Sequence, residues 1–303
     1  PAVIAPRPVV ARRGVSVEAF APLARGVSAA WRAMASDRLA LSSTTSASDA
    51  ANALAVVEAV TAPARASTAL SFKERQLTLP RVRLAYRRAG AVIDSVLAAH
   101  QMLDRVELHI RVYKQDRVVE LWGRRSSSLP FVKLREYQIC EISGRPGPKR
   151  REGDTQVPEG FYTIDALNAT SSYHLSLHID YPNAADRRRP DRARNLGGQI
   201  FIHGGCASIG CIAITDRNIE ELYAFIVEAR DSGQRRIPTA IFPIRMDGEG
   251  VAWLSGSYGT DSPDYPFWMN LKKEYDYFER TRRLPAIDVT STGVYQFGPL
   301  STS

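Results

Sequence analysis

At 303 residues and 44% hydrophobic content, the chain is long enough for one large or two modest domains with a real core. A net charge of +8 and a pI of about 9.5 favour an anionic partner such as nucleic acid, anionic lipid or a carboxylate-rich bacterial cell wall. No apolar run reaches the ~20 residues that span a bilayer, and no RNP, zinc-finger or helix-turn-helix pattern accompanies the basic charge, so neither an integral membrane segment nor a nucleic-acid partner is expected.

Residues 1–21 are rich in Pro and Arg and read as an extended arm. Leu23, Val27, Trp31 and Met34 fall at helical spacing, and a second, Ala-rich helix starts at Ser48 or Asp49 and stops before Pro63. A third helix begins near Pro80, with Ala89, Val92, Ile93, Val96, Leu97 and His100 on its core face. The period then changes from 3.6 to 2. Val106, Leu108, Ile110 and Val112 alternate with polar residues, as in a half-buried strand, and His109 falls on the polar face. Further strands are expected at Val118–Trp122, across Phe131–Ile142, and over Tyr173–Asp180. In that last strand His174 and His178 lie on the polar face, where they either line a substrate groove or form a solvent-facing row. The basic clusters Lys149–Arg151 and Arg187–Arg189, with Arg192 and Arg194, read as solvated faces.

The chemistry concentrates between Ile200 and Asp216. An apolar strand, Ile200–Ile202, runs into His203-Gly204-Gly205-Cys206-Ala207-Ser208-Ile209-Gly210-Cys211, and a helix start follows at Thr215 or Asp216. A thiol needs a base to become a thiolate near neutral pH, and imidazole has the matching pKa. Gly204, Gly205 and Gly210 permit a bend tight enough to bring His203 and Cys211 together. Gly210 also leaves its own amide and that of Cys211 free to face an oxyanion, with Ser208 and Gly204 in support. This is a candidate cysteine acyl-transfer site. Cys140 and Cys206 are expected to pair or to pack as buried thiols, and no metal or cofactor is expected.

The order His-Gly-x-x-x-Ser-x-Gly-Cys between a strand and a helix resembles the active-site segment of the L,D-transpeptidase (YkuD-fold) family. The Cys206 position, the following Thr215-Asp216, the Pro158-x-Gly160 element and Tyr181-Pro182-Asn183-Ala184-Ala185-Asp186-Arg187 resemble its YafK-like branch. The position two after the cysteine, often Arg in the family, is Ala213 here. The resemblance implies an α+β chain: a helical accessory region over 1–103, a mostly β catalytic domain over 104–246, and a C-terminal helical extension and mobile tail over 247–303. It implies a bacterial periplasm or cell envelope, reached with a leader absent from this chain, and peptidoglycan stem peptides as substrate. Cys211 is then the nucleophile, His203 the base, and a carbapenem adduct on Cys211 is expected. The resemblance leaves two chemical outcomes, namely 3,3 or 1,3 cross-linking and hydrolysis of a diaminopimelate–lysine link to a lipoprotein. A non-catalytic wall-binding protein, holding peptidoglycan through its basic clusters, is a third reading. The N-terminal helices and the aromatic stripe Trp268, Leu271, Tyr275 and Phe278 are expected to pack around the groove or in the core.

Overall fold

Residues 70–298 are described by a computed structural model. The expected arm and the two helices before residue 62 lie outside the described residues, as do residues 299–303. A short helix α1 (Phe72–Leu77), capped by Ser71 and Glu74, leads into α2 (Pro80–Ala99). Strands β1 (Glu107–Tyr113), β2 (Val118–Arg124) and β3 (Val132–Gln138) form a meander, and β4 (Glu141–Ile142) follows at once. Next come β5 (Gly160–Asn168), β6 (Ser176–Ile179), the short helix α3 (Ala184–Arg188), β7 (Ile200–His203), β8 (Ile212–Ala213), α4 (Asp216–Asp231) and β9 (Ile237–Phe242). The extension contributes α5 (Gly248–Tyr258), α6 (Tyr265–Thr281) and a hairpin of β10 (Ala286–Val289) and β11 (Tyr295–Gly298).

The main sheet runs β3-β2-β1-β9-β5-β6-β7-β8-β4. Its two edge strands are consecutive in the chain, separated only by Ile139 and Cys140. Three Cα steps span at most ~11 Å, so the sheet must curl until its edges meet there. Ile139 N donates to Arg117 O at 2.8 Å and Cys140 N to Ala213 O at 2.9 Å, which ties this joint to both sides. The single strand expected across Phe131–Ile142 is therefore two strands with different partners.

The concave side is filled by Leu108, Ile110, Leu177, Ile202 and Ile212 together with α4, whose Ile219, Leu222, Tyr223, Ile226 and Val227 are fully buried. Each such side chain contributes about 1.5–3 kcal/mol. Helix α2 joins the same core through Val82, Ala85, Ala89, Ile93 and Leu97. Two residues assigned to its core face are exposed: Val92, at 41%, and His100, which is the C-cap. Helix α6 buries Trp268, Leu271, Tyr275 and Phe278 against the other side of β1 and β9. Strand β1 is therefore buried on both faces, not half-buried, because α6 covers the polar row that includes His109 and Arg111. After α6 the chain forms the β10–β11 hairpin as far as Gly298, and the Pro-, Ser- and Thr-containing end expected to be mobile lies outside the described residues. No helix among the described residues is long and apolar enough to cross a membrane.

Candidate active site

Strands β7 and β8 are parallel neighbours, with Ile202 opposite Ile212 and His203 opposite Ala213. A parallel connection normally takes a dozen or more residues, yet here only residues 204–211 make it. That loop must turn back on itself within a few ångströms. A Cβ on Gly204 would lie 2.6 Å from Asp216 Oδ1 and 2.7 Å from the Tyr173 carbonyl, so no side chain fits. Gly205 and Gly210 adopt φ of 65° and 129°, the region that favours glycine. Asp216 Oδ1 accepts from Gly205 N at 2.7 Å, and Thr215 N donates to Gly205 O at 3.1 Å. Asp216 thus braces the loop, while Thr215, the N-cap position, makes no side-chain cap bond to α4. A disulfide between Cys206 and Cys140 pins the loop to the joint of the curled sheet and leaves Cys211 as the free cysteine.

Strand alternation sets the reacting groups. Ile202 and Ile212 point into the core, so His203, one residue after the first, and Cys211, one before the second, project to the same opposite face. His203 Nδ1 lies 2.6 Å from the Gly204 carbonyl. A carbonyl only accepts, so Nδ1 carries the proton and Nε2 is left with its lone pair. Burial pushes the His203 pKa down, opposed by that hydrogen bond, and pushes the Cys211 thiol up, opposed by a Phe201 backbone hydrogen bond and the charge of Lys149. Both shifts favour the neutral forms, an imidazole and a thiol.

Ser208 Oγ accepts from Cys211 N at 3.0 Å and Gly210 N at 3.3 Å and donates to Cys211 O at 2.7 Å. The two amides expected to stand free for an oxyanion are thus held by Ser208, because a loop this tight satisfies its own backbone groups. A charged oxyanion is a stronger acceptor than a neutral hydroxyl, and the long Gly210 bond is the weaker of the two.

Two loops flank the thiol. Residues 143–156 and 189–199 are joined by hydrogen bonds from Ala193 N to Arg150 O and from Glu152 N to Asn195 O. The first loop reaches the site through Ser143 Oγ, 3.3 Å from Ser208 Oγ, and the second through Gln199 O, 3.7 Å from Cys211 Sγ. Of the basic clusters, Lys149, Arg150 and Arg189 are engaged in ion pairs, whereas Arg151, Arg187, Arg188, Arg192 and Arg194 are exposed. Lys149 pairs with Asp154 at 2.5 Å, Arg150 with Asp191 at 2.9 Å, and Arg189 with Asp191 at 3.2 Å.

The two histidines of the β6 region separate. His178 lies in β6 opposite Phe201, with Nδ1 2.6 Å from Asp165 Oδ1. His174 precedes the strand at φ 71°, and its Nε2 lies 2.7 Å from the buried Glu220 of α4, away from the row expected for it. Tyr173, which the sequence reading did not single out, stacks on His203 with ring centroids 4.5 Å apart. No local pattern marks it; only the docking of the β6 approach on Gly204, through Gly204 N to Leu175 O at 3.1 Å, brings it to the site.

The family model of the L,D-transpeptidase catalytic domain, YkuD, matches residues 108–250. The YafK proteins of Escherichia coli strain K12 and of Escherichia coli O157:H7 are each 35% identical over 196 residues, covering 64% of this chain and 75% of theirs. Among solved structures, the helical cell shape determining protein Pgp2 from Campylobacter jejuni is 19% identical, with 66% of this chain and 80% of that one covered and a TM-score of 0.37. Bd1075 of Bdellovibrio bacteriovorus is 18% identical, with 61% and 77% covered and a TM-score of 0.34. Superpositions at those scores add no weight. The matched span holds the curled sheet, except the first residue of β1, together with His203 and Cys211, and on that match and the identity to YafK the chain belongs to the L,D-transpeptidase (YkuD) family.

Proposed function

We propose that this protein is a peptidoglycan L,D-transpeptidase of the bacterial envelope that works through a thioester on Cys211. The observation that carries this reading is the β7–β8 register, which puts the free thiol and a histidine with an available Nε2 on one face of the sheet. Cys211 Sγ attacks a stem-peptide carbonyl as His203 Nε2 takes the thiol proton. The tetrahedral intermediate collapses, the C–N bond breaks, and His203 returns the proton to the leaving amine. The oxyanion takes the Gly210 and Cys211 amides from Ser208; such donors are worth ~2.7–4 kcal/mol in other enzymes. An amine of a second stem then displaces Cys211 and forms the cross-link.

The partly open position of Cys211 favours hydrolysis as the second reading, in which water takes the place of the acceptor amine. The presence of both His203 and the free thiol of Cys211 weighs against a purely wall-binding role. Mass spectrometry of monomeric muropeptides incubated with the protein tests the choice. Dimers linked through diaminopimelate, absent with Cys211→Ala, support cross-linking. Shortened stems, or a freed lysine-linked lipoprotein fragment with no dimers, install the hydrolase.

A further inference from the structure

His203 is 3% exposed, whereas Tyr173, stacked on it at 4.5 Å and 31° between ring planes, is 44% exposed. The tyrosine therefore covers one face of the imidazole and stands between it and solvent. Its seat is built from several directions. The Tyr173 carbonyl would lie 2.7 Å from a Cβ on Gly204, and its ring 3.3 Å from one on Gly205, so the paired glycines admit the Tyr173 segment as well as turning the loop. Tyr173 N donates to Ser171 Oγ at 3.1 Å. Arg81 of α2 donates to the Ser171 and His174 carbonyls, at 2.6 and 2.7 Å, on either side of Tyr173. Next in the chain, His174 is anchored to Glu220, which also holds Arg88 of α2 at 2.9 Å. A half-exposed aromatic residue held this closely is not filling a core.

We infer that Tyr173 is a positioning residue for the general base: its ring fixes the His203 imidazole with Nδ1 on the Gly204 carbonyl, so that Nε2 is the nitrogen left to act as base, and it keeps water off the stacked face. This rests on the reading of His203 as the base for Cys211. Stacking needs the ring and not the phenol, so phenylalanine substitutes for tyrosine and an aliphatic residue does not. Arg81 acts one step further out, by holding the segment that carries the ring.

Cys140 and Cys206 are tied in the disulfide, so alkylation of the native protein by iodoacetamide reports on Cys211 alone. Its rate across pH is measured for the wild type, His203→Ala, Tyr173→Phe, Tyr173→Leu and Arg81→Ala, alongside an NMR titration of His203. Tyr173→Phe should follow the wild type in both readouts. Tyr173→Leu should slow alkylation roughly tenfold, a fraction of what general-base catalysis supplies, and move the His203 midpoint up towards the ordinary value of about 6.5 as water reaches the ring. Arg81→Ala should shift both in the same direction by less, and it carries the test if Tyr173→Leu does not fold. If His203→Ala slows alkylation while Tyr173→Leu and Arg81→Ala leave rate and midpoint unchanged, Tyr173 is not a positioning residue. If His203→Ala itself has no effect, the base reading fails and the inference falls with it.

Discussion

The catalytic loop and the interface under α6 handle polar groups in opposite ways. Between His203 and Asp216, Ser208, Asp216 and the Leu175 carbonyl give partners to the amides of Gly204, Gly205, Gly210 and Cys211. Under α6, Arg111 is fully buried, its Nε and Nη2 have no partner, and it lies 4.4 and 4.8 Å from the ring centres of Phe278 and Tyr275. Glu274 is buried with both oxygens unpartnered, and burial, opposed by Arg111, pushes its carboxyl up to about 7. His109 has an unpartnered Nε2, and burial, with Arg111 adding to it, pushes its pKa down to about 3. These shifts are larger than those resolved at His203, yet these groups belong to a structural interface. Perturbed ionisation alone thus points to the wrong end of this sheet. What marks the candidate site is a free thiol and a histidine on one face of adjacent strands.

The sharpest way to break the contrast is Cys211→Ala. It should abolish acyl transfer and the carbapenem adduct, which peptide mapping of the wild type should place on Cys211; an adduct on Cys206 or Cys140 would move the site. Next in size is the brace of the loop. Cys206→Ser opens a disulfide across 66 residues, which chain entropy values at about 4 kcal/mol. A large drop in Tm should accompany substantial retained turnover, since Cys206 only restrains the loop; turnover as low as in Cys211→Ala would give Cys206 a chemical role.

At the other end, Glu274 keeps its proton in the folded state from its ordinary 4.5 up to about 7, while the unfolded chain loses it. Stability from this group is therefore full below pH 4.5 and lost as pH rises through 7, on the order of 3 kcal/mol at about 1.4 kcal/mol per pH unit. Glu274→Gln should flatten that slope in denaturant melts between pH 5 and 8 and leave Cys211 alkylation unchanged; a change in alkylation would couple the two ends of the sheet. Asp186, raised by burial to about 6, has the same sign and accounts for a residual slope. The smallest effect is expected for Ser208→Ala, about 1 kcal/mol of stability for a net hydrogen bond. A larger fall in turnover than in stability would show that Ser208 holds the two amides ready for the oxyanion.

The sequence by itself determined the elements whose signal is local. The period-2 run at Val106–Val112, the α4 face at Ile219–Val227, and the order His203–Gly204–Ser208–Gly210–Cys211 were all legible, because side-chain alternation, helical spacing and the glycine requirement act over a few residues. Helix α5 carries little local signal because Gly248, Gly250, Ser255 and Gly256 dilute its helical pattern, and the β10–β11 hairpin because its strands are only four residues each. Tertiary structure alone decided four further matters: that Phe131–Ile142 breaks at Cys140 to join the two edges of a curled sheet, that α6 buries the polar row of β1, that Ser208 holds the oxyanion amides, and that Tyr173 covers His203. Three of them depend on partners far apart in the chain, and the local Ser208 bonds depend on a loop whose shape is set by the β7–β8 pairing. Tyr173 and His203 are brought together by the antiparallel β6–β7 pairing and by Arg81, and no spacing within either segment encodes that meeting.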